Sequence, residues 1–150
     1  MSTKFKGTDT EISALNAFIA FFRSFNTLNS NLGQEIKSYG ITDSQFGILE
    51  VLLHLGPQEQ HHLAEKLLVS GGNITFIVDN LEKAGYVNRT VQESDRRCKL
   101  VSLTDKGRML ISNLFPQHVE FIEKLMGALT PDEQSEFTQI CKKLGKQNQK

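Results

Sequence analysis

Three groups of residues carry chemistry in their types and spacing. The run Ser70-Gly71-Gly72-Asn73-Ile74-Thr75-Phe76 places a capping hydroxyl, two backbone N–H groups without side chains, an amide, a hydroxyl and a ring in succession. At a helix N-terminus such N–H groups and the positive end of the dipole suit a phosphate. Asn hydrogen-bonds adenine bidentately and Thr contacts a base edge or a thymine methyl. The second group is the polar run 92–97, ending Asp95-Arg96-Arg97. An Arg at a hairpin tip enters a narrow minor groove, where the negative potential is enhanced. The third group is His61-His62 with Glu65, and apart from it Cys98.

The third group is expected to be inert. Adjacent residues on a helix point about 100° apart, so His61 and His62 are not expected to share an ion. His54 and His118 lie elsewhere in the chain. No metal and no cofactor is expected. Cations beside Cys98 favour its thiolate, yet an inert thiol is the simpler reading. Cys141 falls on an apolar stripe and reads as core. No glycine-rich phosphate loop follows a strand, and the Asp, Glu and Ser residues show no catalytic arrangement, so no enzyme is expected.

The elements that position these residues are mostly helical. From 11 to 37, Ile12, Leu15, Phe18, Phe22, Phe25, Leu32 and Ile36 recur at helical spacing, with Ile19 and Phe21 widening the stripe. So aromatic a helix suits packing against a second chain. Thr42 with Gln45 predicts a capping box for a helix that carries Phe46, Leu49, Leu52 and Leu53 and stops at Gly56-Pro57. A short helix over 59–68 and a second over 71–84, capped by Ser70, make a helix-turn-helix. In 86–103 the period changes. Val87 and Val91 lie on one run and Val101 and Leu103 on another, which predicts a β-hairpin, the wing. Thr104 caps a long helix through Met109, Leu114, Phe121 and Leu125, in which a kink at Pro116 is expected. Thr130-Pro131-Asp132-Glu133 opens a last helix expected to bury Phe137, Ile140, Cys141 and Leu144.

Composition narrows the classes. The 150 residues hold 17 Lys plus Arg and 17 Asp plus Glu, so there is no uniformly basic surface for nucleic acid or membrane. The charge is uneven. Between 86 and 108, Arg89, Arg96, Arg97, Lys99, Lys106 and Arg108 outnumber Glu93, Asp95 and Asp105, leaving an excess of three cations in and around the wing. Two distant cysteines make no disulfide framework. A polar start over residues 1–10 and the lack of a long apolar run predict no signal peptide, no membrane partner and a cytoplasmic location.

The chain resembles the MarR family of bacterial transcriptional regulators over nearly its whole length. The resemblance rests on Gly40-Ile41-Thr42-Asp43-Ser44-Gln45-Phe46, Leu63-Ala64-Glu65-Lys66-Leu67, Asn73-Ile74-Thr75 and the stretch from Val78 to Val87. The most specific segment is Asp95-Arg96-Arg97-Cys98-Lys99-Leu100-Val101-Ser102-Leu103-Thr104-Asp105-Lys106-Gly107. The resemblance implies a mainly α fold with a small β-wing, a winged helix-turn-helix in an obligate-type helical dimer. Residues 1–37 and 108–150 would dimerise and 38–107 would bind double-stranded DNA, each module reading half of a pseudo-palindrome. DNA contacts are expected from Ser70, Gly72, Asn73, Thr75, Phe76, Arg89, Asp95, Arg96, Arg97 and Lys99, with Arg97 entering the minor groove and Arg96 on phosphate. The family often carries cations where this chain has Phe76 and Asn80. The resemblance also implies an effector-relieved repressor, with a small aromatic or phenolic effector lined by Phe22, Tyr39, Phe46 and His54. Some relatives sense zinc through His-rich sites in the first and fifth helices, and those that sense hydroperoxides use a cysteine in the first helix, which here has no His or Cys. Two alternatives remain: an interaction or effector-binding dimer with a degenerate reading helix, and a redox sensor through Cys98.

Overall fold

The computed structural model describes residues 3–67, 69–92 and 95–147, with the side chains of 91–98 outside that description. The described elements are α1 (Asp9–Ser38), α2 (Asp43–Leu55), β1 (Gln58–Glu59), α3 (Gln60–Leu67), α4 (Gly71–Lys83), β2 (Val87–Gln92), β3 (Asp95–Leu103), α5 (Asp105–Met126) and α6 (Pro131–Gln147). Two compact units divide the chain, Met1–Phe115 and Pro116–Lys150.

Local chemistry sets the helix starts in the first unit. The Thr8 hydroxyl accepts from the Glu11 N–H at 3.3 Å while the Glu11 carboxylate accepts from the Thr8 N–H at 2.8 Å. Thr42 and Gln45 make the same reciprocal pair at 3.2 and 3.0 Å, as their spacing predicts. Ser70 caps α4 by accepting from the Asn73 N–H at 3.3 Å.

The core of this unit draws on every one of its elements except β1. Ile36 comes from α1, Phe46, Ile48, Leu49 and Leu52 from α2, and Leu63 and Ala64 from α3. Ile74, Ile77, Val78 and Leu81 come from α4, Val87 from β2, Val101 from β3 and Ile111 from α5. Burying each of the larger side chains contributes about 1.5–3 kcal/mol relative to exposure. Ile111 joins this core, so the expected boundary between 107 and 108 falls inside the unit that runs to Phe115.

The sheet has three antiparallel strands in the order β1-β3-β2. Val87 pairs with Leu103 at the base of the hairpin and Gln92 with Asp95 at its far end, with an irregularity between Val91 and Gln92. The third strand, β1, pairs Gln58 with Val101 and Glu59 with Leu100. The sequence reading had only two strands, because two residues are too few for alternation to show. Accordingly α3 starts at Gln60, one residue later than expected.

The hairpin base is tied to the helices on either side of it. Gly85, at φ +77°, turns the chain out of α4. The Thr104 hydroxyl donates to the Gly85 carbonyl at 2.7 Å and accepts from the Gly107 N–H at 3.0 Å, so the expected cap also joins α4 to α5. A Cβ on Gly107 would run into the Tyr86 carbonyl, so only glycine fits there. Lys106 donates to the Ala84 carbonyl at 2.8 Å and sits over the Tyr86 ring.

The second unit holds the end of α5 and all of α6. Thr130 and Glu133 form the expected capping box, at 3.4 and 2.8 Å. Gln134 donates to the carbonyls of Met126 and Leu129, closing the turn between the helices. No residue of α6 is buried. The expected burial of Phe137, Ile140 and Leu144 is not met within a single chain: all three are exposed, and Cys141 is a half-buried free thiol.

Candidate nucleic-acid interface

The reading helix α4 has two unlike faces. Ile74, Ile77, Val78 and Leu81 are buried on one. Gly71, Gly72, Asn73, Phe76 and Lys83 are exposed on the other, Phe76 at 66%. A Cβ at Gly71 or Gly72 would meet nothing within 4 Å, so packing within the chain does not demand glycine there. What the glycines leave is backbone open to close approach from outside, at the positive end of the helix. Ser70 is exposed too, but its hydroxyl is engaged as the cap.

Thr75 sits differently from the expectation. Its hydroxyl donates to the Gly71 carbonyl at 3.0 Å and accepts from the Gln60 side-chain amide at 2.7 Å. It therefore ties α4 to the start of α3, and its proton is not available to a base. The Gln60–Thr75 link had no signal in the sequence, since fifteen residues separate the partners.

Arg89 is the larger correction. Its guanidinium, 17% exposed, is clamped by Asp79 and Glu82. Nε reaches one Glu82 oxygen at 3.0 Å and Nη2 the same oxygen at 2.6 Å, while the Arg89 N–H donates to the other Glu82 oxygen at 3.0 Å. The hydrogen bond from Arg89 holds the Glu82 carboxyl below the usual carboxylate range. Glu82 in turn raises the guanidinium pKa. Arg89 is thus a strut between β2 and α4 and presents no free charge to a phosphate. Asp79 and Glu82 were missed as its partners, although their spacing of three on one helix face was visible. With Lys106 also engaged, the wing's cation excess is less available than a formal count suggests. Among the described side chains, Lys99 and Arg108 remain exposed. Asp95, Arg96, Arg97 and Cys98 have their backbone in β3, and their side chains lie outside the described residues.

The four expected effector-lining residues do not gather within one chain. Phe46 is core, 2% exposed, with the Tyr39 ring tilted against it at 6.1 Å. It packs the interior. Burial, then the hydrogen bond to Glu35, pushes the Tyr39 phenol up to about 12. His54 stands edge-on to Phe115 at 4.6 Å. Phe22 stacks with Phe18 at 5.8 Å, seventeen positions before Tyr39, or roughly 25 Å along a helix.

The side chains of the histidine pair lie close together. The His61 and His62 ring centroids are 4.1 Å apart, and His61 Nδ1 lies 3.1 Å from a Glu59 carboxylate oxygen. Divergence of the Cβ directions by about 100° is overcome by the reach of the two side chains beyond Cβ.

A helix-turn-helix with an exposed, capped second helix, followed by an antiparallel hairpin braced to it, defines a winged helix-turn-helix protein. The model of the MarR family matches residues 41–99. The HTH-type transcriptional regulator MhqR of Bacillus subtilis (strain 168) is 30% identical over 132 residues, covering 88% of this chain and 91% of MhqR. The transcriptional repressor MprA of Escherichia coli (strain K12) is 32% identical over 122 residues, covering 78% of this chain and 68% of MprA. In fold, the chain is similar to Sco3205, a MarR family transcriptional regulator from Streptomyces coelicolor solved in complex with DNA. The TM-score is 0.85 at 21% identity, covering 97% of this chain and 93% of that one. The chain belongs to the MarR family of DNA-binding transcriptional regulators.

Proposed function

We propose that this chain is a cytoplasmic homodimer that binds a pseudo-palindromic operator sequence-specifically and represses transcription until an effector releases it. The observation that carries the reading is the contrast within α4. Its apolar side is fully packed, while Asn73, Phe76 and the glycine-flanked N-terminus stand open. In this reading Asn73 and Phe76 read base edges, the N–H groups of Gly71 and Gly72 hold a phosphate, and Arg96, Arg97 and Lys99 contact DNA from the wing. Arg89 and Thr75 act indirectly, by fixing the hairpin and α3 against α4.

The exposed apolar faces of α1 and α6 support dimerisation through segments 1–37 and 108–150. Phe18, Phe21, Phe22 and Phe25 are all exposed on α1, and Phe137, Ile140 and Leu144 on α6. Contiguous apolar surface of this kind marks an interface. The name of the repressor MprA supports the sign of regulation. No helix among the described residues is long and apolar enough to cross a membrane.

The test is selection of bound duplexes from a random pool, followed by titration of the selected operator at several salt concentrations. The expected result is an enriched inverted repeat whose affinity falls steeply with salt. Recovery of no common sequence would favour the second reading, an effector-binding dimer with a degenerate reading helix, which the ring at Phe76 in place of a cation motivates.

A further inference from the structure

The junction of β1 and α3 gathers three metal-ligating side chains that the DNA-binding reading does not use. Glu59 is fixed by its pairing with Leu100 and its side chain is 27% exposed. His61 and His62 are exposed at the start of α3. One donor atom from each of the three lies within 4.8 Å of the other two. The Glu59–His61 pair, at 3.1 Å, is already near the donor spacing of roughly 3.3–3.5 Å that a tetrahedral ion with bonds of about 2.0–2.2 Å imposes. His62 has only to close by a side-chain rotation. Two imidazoles and one carboxylate suit zinc-like transition ions, whereas Mg²⁺ and Ca²⁺ seek all-oxygen shells.

The residue between these ligands touches the reading helix. The Gln60 side-chain Nε2 donates to the Thr75 hydroxyl at 2.7 Å, and its Oε1 is buried without a hydrogen-bond partner among the described residues. A group so placed feels a small shift of the backbone on either side. We propose that Glu59, His61 and His62 form a three-ligand site for a divalent transition metal of the zinc class, completed by water, and that its occupancy is transmitted to α4 through Gln60. The ion takes its place between His61 Nδ1 and the Glu59 carboxylate, now 3.1 Å apart, and draws in His62. It thereby pins the first turn of α3 on both flanks of Gln60. The transmission half rests on the proposed function; the metal site does not.

The test uses the untagged full-length protein, stripped with chelator and titrated with Co²⁺, whose visible absorption reports tetrahedral coordination. Wild type is expected to bind one more ion per chain than the H61A/H62A double variant. Equal uptake by the two proteins would overturn the site. Both positions are exposed, so the double variant retains its fold, which circular dichroism checks. Operator affinity is then measured with Zn²⁺ and with chelator. A shift of about fivefold or more in wild type, absent from H61A/H62A and from Gln60→Leu, is expected. A Gln60→Leu protein that keeps the full DNA response would overturn transmission through Gln60. A wild type that binds no DNA in either condition counts against the proposed function, while Co²⁺ uptake decides the metal site by itself.

Discussion

Phenylalanine behaves in opposite ways in two parts of this chain. In α2, Phe46 is 2% exposed and surrounded by core, whereas on α1 Phe18 is 61% exposed with another exposed ring, Phe22, stacked on it. The same holds for whole elements. In α2, four of thirteen residues are buried; in the thirty-residue α1 only Ile36 is, and in α6 none. Both regions nevertheless carry large apolar side chains. The central module has a closed core, to which α1 and α5 add Ile36 and Ile111, and the outer helices carry large apolar side chains that stay exposed, among them Phe18, Phe22, Ile140 and Leu144. A chain that keeps such surface open has its completing partner elsewhere, and a twofold copy supplies the same stripes again.

Charging the open side of this contrast has the largest expected effect. Phe18→Glu combined with Phe22→Glu is expected to give a folded monomer by analytical ultracentrifugation and to weaken operator binding a hundredfold or more, as about two half-site contacts are uncoupled. A protein that remains a dimer and binds normally would place dimerisation away from α1. The reciprocal change on the closed side behaves otherwise. Gly107→Ala forces a methyl against the Tyr86 carbonyl. The expected cost is about 2–4 kcal/mol of stability, seen as a lower melting temperature, with the dimer retained below that temperature.

In both regions the local features were legible in the sequence and the links between elements were not, for a physical reason. Caps and periodicity are local. Thr42-Gln45, Ser70-Asn73 and Thr130-Glu133 each act within one turn, and their structures match their spacing. The clamp on Arg89 spans ten residues and the Gln60–Thr75 link fifteen, across element boundaries that no period crosses. Counting Arg89 as a DNA cation followed from its charge alone, and the carboxylates of Asp79 and Glu82 that engage it had no part in that count. Burial of the α6 stripe was read from pattern alone, which records that a face is apolar without recording what covers it. Phe46 shows the converse. The resemblance implied an effector contact for it, whereas its position on the packed face of α2 puts its ring in the core.

The wing separates direct contacts from struts, with smaller effects. Arg97→Ala is expected to remove most operator affinity and to lower the salt dependence by about one counterion. Arg89→Leu is expected to reduce affinity less, with an unchanged salt slope, because its charge is satisfied by Asp79 and Glu82 and never reaches a phosphate. Fluorescence anisotropy across a salt series distinguishes the two. An equal loss of slope in both variants would return Arg89 to the DNA surface.

The smallest expected effect concerns acid. Glu82 has its carboxyl held below its ordinary value of 4.5 by the hydrogen bond from Arg89. A carboxylate whose folded pKa is depressed contributes stability that is present above the unfolded pKa and lost as pH falls through the folded one. Arg89 stays charged throughout that window, since its own pKa is raised, so the loss on the acid side belongs to the carboxylate. Glu82→Gln should therefore flatten the stability profile below about pH 4.5 while leaving its shape near neutrality unchanged. The change stays small because solvent reaches the Glu82 side chain, 37% exposed, and screens the pair. Glu11 and Glu133 are likewise held low, by Thr8 and Thr130, but at helix starts whose substitution should not alter the hairpin. Urea denaturation at pH 3.5 and 7 for Glu82→Gln and Glu133→Gln makes the distinction. Only the Glu82 variant should also loosen amide exchange at the Arg89 N–H, because only there does the carboxylate hold a strand.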